Sequence, residues 1–179
     1  QYVSTAELIS TAKANGLSAT SNAYKALYSI NTKYAGKLST SQEQGTSVFM
    51  FEGVGNNSSA SKRLNAMCVV VKNGDIVYLN RNCSTIPDYP FNPSKNEGTD
   101  MPTIKSGIYS FTTVNHRGKY AALNVSGAQV VRFKSKNSFY NSTSSGINVH
   151  RRDSDSIAPS SSNWVNSAGC LLIGKSGTS

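Results

Sequence analysis

Met67-Cys-Val-Val-Val-Lys-Asn-Gly-Asp-Ile-Val-Tyr-Leu79 decides the fold class of this 179-residue chain. Two apolar runs rich in β-branched residues, Met67 to Val71 and Ile76 to Leu79, flank Asn73-Gly74. Asn-Gly tolerates the positive backbone φ angles of a tight two-residue turn, so the stretch is predicted to be a β-hairpin. The turn sets Lys72 opposite Asp75 and, counting outward, Cys68 opposite Leu79. Cys83 then lies four residues past the partner of Cys68, a register that argues against a Cys68–Cys83 disulfide.

Working outward, strand signals dominate from Ser47 onward. Val48 to Phe51, Gly107 to Val114, Tyr120 to Val125, Gln129 to Phe133, Ile147 to Val149 and Cys170 to Ile173 are predicted strands. Asn82 to Met101, with three of the five prolines, is predicted to be a long loop. The Ser/Asn-rich segments Ser135 to Ser145 and Arg152 to Asn166 are predicted loops as well. The N-terminal region differs: Leu8, Ala12, Leu17, Tyr24, Leu27, Tyr28 and Ile30 recur at partly helical spacing. Asn15-Gly16 separates two helices there, and Ser4 with Glu7 has the spacing of a capping box. The expectation is a β-rich, mainly β fold with N-terminal helices: a helical cap or extension over residues 1–45 and a β-rich domain over residues 46–179.

Charge narrows the partners. Lys and Arg outnumber Asp and Glu 18 to 9, a formal net charge of +9, yet only 15% of residues are charged against about 25% in an ordinary globular chain. Neutral polar residues fill the gap, with 29 Ser and 18 Asn. Nucleic-acid binding predicts clustered Lys/Arg with interleaved aromatics. The densest clusters here are the pairs Lys62-Arg63 and Arg151-Arg152. Scattered basic charge on a Ser/Asn-rich surface fits a diffuse polyanion, such as a bacterial cell wall, better than nucleic acid. No apolar run is long enough to predict a membrane span. Gln1 in place of an initiator Met, with no signal peptide, is what a mature or trimmed chain would show.

Chemistry concentrates near the C-terminal end. The two histidines are His116 and His150, and one of the three cysteines closes Ser167-Ala-Gly-Cys170. A nucleophilic thiol needs an imidazole as general base or ion-pair partner, and backbone N–H groups for the oxyanion. Ala168 and Gly169 leave the backbone before Cys170 accessible. Neither the Cys nor the His spacing matches a metal motif, and no metal or cofactor is expected. His116-Arg117-Gly118 is predicted to be a turn between strands. Chain order excludes a papain-like arrangement, because His150 precedes Cys170. A sortase would need an Arg shortly after the Cys, and none follows Cys170.

His150, sixteen intervening residues and Ser167-Ala-Gly-Cys170 together resemble the signature of the bacterial L,D-transpeptidases: a His, a similar gap, then Ser/Thr-His-Gly-Cys. The Met67 to Val77 hairpin resembles the family's opening hairpin, and Thr103-Ile-Lys-Ser-Gly-Ile-Tyr109 is similar to its Thr-Pro-x-Gly-x-Tyr/Phe segment. The resemblance runs from about Ala66 to Ile173 and implies an L,D-transpeptidase-like β-sandwich. By that resemblance Cys170 attacks a carbonyl in a peptidoglycan stem peptide, and the acyl group passes to an amine or to water. His150 would activate the thiol, backbone N–H groups around Ala168, Gly169 and Cys170 would bind the oxyanion, and Ser167 would support the turn. The implied location is the cell wall or periplasm of a bacterium, reached by secretion or by phage or effector delivery. Two departures stand out: Ala168 replaces the family's second histidine, and Leu171-Leu172 stand where an Arg is common. Arg151, Trp164 and Tyr109 are the candidate substrate-binding residues. The competing expectation is a catalytically inactive cell-wall-binding module that retains the basic groove.

Overall fold

The computed structural model describes residues 3–32, 45–57, 64–87, 100–151 and 167–174. The chain begins with α1 (Thr5–Ala14) and α2 (Asn22–Thr32). Ser4 Oγ accepts a hydrogen bond from the Glu7 N–H at 3.2 Å, the forward half of the expected capping box. The reciprocal half is replaced by a tertiary bond: Glu7 Oε1 accepts from the Ile76 N–H at 2.8 Å and ties α1 to the sheet. Asn15 caps the C-terminus of α1, and Gly16 follows at φ +63°, which divides the helices where Asn15-Gly16 predicts.

The strands are β1 (Thr46–Asn57), β2 (Leu64–Lys72), β3 (Asp75–Ser84), β4 (Met101–Ile104), β5 (Phe111–His116), β6 (Tyr120–Val125), β7 (Ala128–Ser135), β8 (Ser138–Ser144), β9 (Asn148–Arg151) and β10 (Leu171–Ile173). They form a seven-stranded sheet, β1-β2-β3-β10-β9-β6-β5, and a three-stranded sheet, β4-β7-β8. The β-rich expectation holds. Asn73 and Gly74 adopt φ +50° and +88°, the paired positive angles of the tight turn, and Lys72 faces Asp75. Farther out the register departs from simple counting. Irregularities between Val70 and Val71 and between Ala66 and Cys68 set Cys68 opposite Asn80 and Ala66 opposite Cys83.

The unbroken apolar run of β2 reflects burial on both faces. Met67, Val69 and Val71 pack against Leu8, Ala23, Leu27 and Ile30 of the helices. Ala66, Cys68 and Val70 turn the other way, toward Cys83 and Ile173. A further cluster joins the two sheets, with Val125, Val149 and Leu171 of the large sheet against Ala128, Val130 and Ile104 of the small one. The seven-stranded sheet is therefore the middle layer, with helices over part of one face and the small sheet on the other. Leu27 is fully buried under this helical layer. Leu27→Ala is expected to cost about 3 kcal/mol in denaturant unfolding.

Three expectations are revised. Ser138–Ser144 forms β8, paired along β7, where a loop was predicted. Its Ser and Asn residues lie on a largely exposed strand, and Phe139 and Tyr140 supply the β preference. Gly107 to Ser110 lie outside β5, because Tyr109 folds back to donate its hydroxyl proton to Lys105 O at 2.9 Å. β3 runs on to Ser84, shortening the loop predicted from Asn82, of which residues 88–99 lie outside the described residues. Among the described residues no helix is long and apolar enough to cross a membrane.

Candidate active site

His150 and Cys170 meet because β9 and β10 are parallel neighbours at the middle of the large sheet. Leu171 pairs with Val149 and Leu172 with His150. Side chains alternate along a strand, so His150 and Leu172 share one face while Val149 and Leu171 point into the core between the sheets. Cys170 falls on the face of Leu172 and packs against it and Leu64. This is the helix-covered face, but the helices pack over β1–β3, and the Cys/His pair lies on the β10-β9-β6-β5 half.

His116 joins them. It ends β5, two strands from His150, with β6 between. Its ring stacks on His150 at 4.4 Å between centroids and 22° between planes. Tyr120 packs beside both, at 5.3 Å from His116 and 5.4 Å from His150. One side-chain donor atom from each of His116, His150 and Cys170 lies within 4.8 Å of the other two, and all three residues are half-buried. Two imidazoles and a thiol form a ligand set compatible with a transition metal such as zinc. They come from three distant chain segments, so no linear spacing announces them.

The hydrogen bonds specify what each group can do. His150 Nδ1 lies 2.9 Å from Arg151 O. A carbonyl only accepts, so Nδ1 carries the proton of the neutral ring and Nε2 keeps the lone pair a general base needs. The thiol of Cys170 donates a long 3.9 Å contact to Gly146 O.

Before Cys170 the chain makes a turn braced by Ser167, which is buried. Ser167 Oγ donates to Cys170 O at 2.7 Å and accepts from the Gly169 N–H at 3.1 Å. Ser167 thus holds the turn as expected, and the Gly169 N–H expected to face an oxyanion is turned to Ser167 instead. Gly169 sits at φ +133°, and a Cβ there would come within 2.6 Å of Pro102 Cγ and 3.0 Å of Pro102 O. Only glycine combines that backbone angle with so close an approach to β4. The side chain of Ala168 is exposed.

Burial raises the Cys170 thiol above its ordinary pKa, opposed by the Asn148 backbone N–H and by the charge of Arg117. The resting group is therefore a thiol at neutral pH, and His150 is cast as a general base rather than as the partner of a standing thiolate. The sign follows: with an imidazole beside it to take the proton, alkylation of Cys170 is expected to proceed at neutral pH and to keep rising with pH as solvent adds to thiolate formation. Cys68 and Cys83 are free and fully buried, and the Cys68 thiol is held protonated by its hydrogen bond to Cys83 and by burial. Mass mapping after iodoacetamide treatment is expected to find native protein labelled at Cys170, with Cys68 and Cys83 labelled only after unfolding.

Of the candidate substrate-binding residues, Tyr109 and Arg151 do not gather here. Tyr109 packs in the core between the sheets, on the opposite face from His150. Arg151 follows His150 along β9, so its side chain leaves by the other face, where its charge is felt by Tyr78. Trp164 lies outside the described residues. Among the described residues, the cation whose charge reaches Cys170 is Arg117, in the turn after His116. The sequence predicts only a turn there, and its one signal of a further role is that it carries one of the two histidines. Comparison of the chain with protein-family models, curated proteins and solved structures finds no match.

Proposed function

We propose that the protein is a cysteine-dependent acyl-transfer enzyme of the L,D-transpeptidase type, acting on peptidoglycan stem peptides in the bacterial cell wall. The supporting observation is the convergence of Cys170 with a His150 whose Nδ1–H is committed to Arg151 O. On attack, Cys170 Sγ bonds to the substrate carbonyl carbon and its proton passes to His150 Nε2. The tetrahedral intermediate collapses to a thioester, and the departing amine takes the proton from His150. An acceptor amine or water then attacks the thioester and gives its proton to His150; the C–S bond breaks, and the departing Sγ takes that proton back from His150 to restore the thiol. Ser167 serves the cycle by holding the Cys170 turn.

The two-sheet architecture with β9 and β10 at its centre is compatible with the L,D-transpeptidase-like sandwich implied by the sequence signature. The +9 charge favours an anionic wall polymer as partner. One observation favours the second reading, a wall-binding module without chemistry: burial holds the Cys170 thiol protonated. Incubation with purified sacculi followed by mass spectrometry of the muropeptides separates the two. New cross-links indicate a transpeptidase, released amino acids or cleaved bridges indicate a hydrolase, and binding with unchanged muropeptides indicates the module.

A further inference from the structure

His116 has no counterpart in the His…Ser-Ala-Gly-Cys pattern, yet its surroundings fix it in one chemical form. The chain of reasoning starts at Asn124, whose Nδ2 donates to Ser145 O at 3.0 Å. Because a carbonyl only accepts, the Asn124 amide orientation is set, and the same Nδ2 donates to Asn148 Oδ1 at 2.8 Å. That in turn points Asn148 Nδ2 at His116 Nδ1, 2.8 Å away. Nδ1 must accept, so the neutral imidazole of His116 carries its proton on Nε2. His150 is the opposite tautomer, with its proton on Nδ1 facing Arg151 O.

The fold brings these complementary rings together over a small residue. His150 pairs with Ala122 on β6, and Ala122 pairs with Val114 on β5, two residues before His116. Strands two apart are separated by about 9.6 Å, and the small side chain of Ala122 lets the rings close above it to 4.4 Å. We propose that His116 is a positioning residue for His150: a neutral ring, anchored by the Asn124–Asn148 relay, against which the base is held flat while it takes and returns the Cys170 proton. This rests on the reading of His150 as general base.

The same relay argues against a metal at His116, His150 and Cys170. A ligating Nε2 would need the His116 proton on Nδ1, donor against donor with Asn148 Nδ2, and Nδ1 itself is already engaged by the amide.

Long-range proton–nitrogen correlation spectra of the imidazoles test the assignment without any substrate. The expected spectrum has His116 protonated at Nε2 and His150 at Nδ1; His116 protonated at Nδ1 would overturn the proposal. In His116→Ala the His150 signals are expected to lose their ring-current displacement, and alkylation of Cys170 at pH 8 to slow about tenfold, the scale of a base that loses its alignment. His116→Phe, which restores an aromatic face, is expected to recover most of both. Unchanged His150 signals and an unchanged alkylation rate in His116→Ala would refute the role. So would protection of Cys170 from alkylation by added zinc that disappears in His116→Phe, which would make the trio a metal site. His150→Ala keeps the two readings apart: an unchanged alkylation rate there sinks the general base, while the His116 tautomer in the wild-type spectrum stands or falls separately.

Discussion

Cys170→Ala is expected to abolish turnover of stem peptides while leaving the protein folded. Without Sγ no thioester can form, and the neighbouring Ser167 is buried and spends its hydroxyl on the turn. Loss of a nucleophile that acts as a unit with its base costs on the order of 10⁶-fold in kcat, which here means activity below detection. The fold should tolerate the change, because Cys170 is half-buried and sits in a small cluster with Leu64 and Leu172. Removing one sulfur from such a site costs about 1 kcal/mol. The check is paired: muropeptide product analysis and a thermal melt on the same preparation. A variant that keeps its melting temperature and also keeps turning over substrate would remove Cys170 from the mechanism.

His150→Ala is expected to lower kcat by about 10²- to 10⁴-fold, the usual contribution of a positioned base. Its pH dependence is more informative than its size. Burial raises the Cys170 thiol, so on the proposed mechanism the wild-type protein would need His150 at neutral pH to remove a proton that water removes poorly. As pH rises toward the thiol pKa, solvent forms the thiolate without help. The deficit of the variant relative to wild type should therefore shrink with increasing pH. A deficit constant from neutral to alkaline pH would assign His150 to some task other than thiol deprotonation.

Much of this was legible in the chain because it depends on local chemistry. Asn73-Gly74 accepts positive φ whatever surrounds it, so the hairpin and the Lys72–Asp75 pairing follow from two residues. His150 and Cys170 were legible as a pair from their order and from the spacing of His150 to Ser167-Ala-Gly-Cys170, and the parallel pairing of β9 with β10 is what brings them together. Counting failed at Cys68, where irregularities shift the pairing to Asn80 and carry Cys83 into the same buried cluster. Nothing in the local composition of β2 marks them. β8 escaped because Ser and Asn dominate an exposed strand as readily as a loop, and its pairing with β7 is a tertiary fact. His116 escaped for a similar reason: its place beside His150 depends on the order β9-β6-β5 and on the small size of Ala122. Glu7 shows the same competition at a helix end, where a sheet N–H replaced the local capping partner.

The most direct measurement is a trapped intermediate. The protein is mixed with a disaccharide-tetrapeptide from peptidoglycan, quenched in acid within the first turnovers, and digested for mass spectrometry. The expected result is an acyl adduct of stem-peptide mass on the peptide that contains Cys170, absent in Cys170→Ala and strongly reduced in His150→Ala. An unmodified Cys170 alongside intact substrate, in protein that binds sacculi, would contradict acyl transfer and leave a wall-binding module in its place.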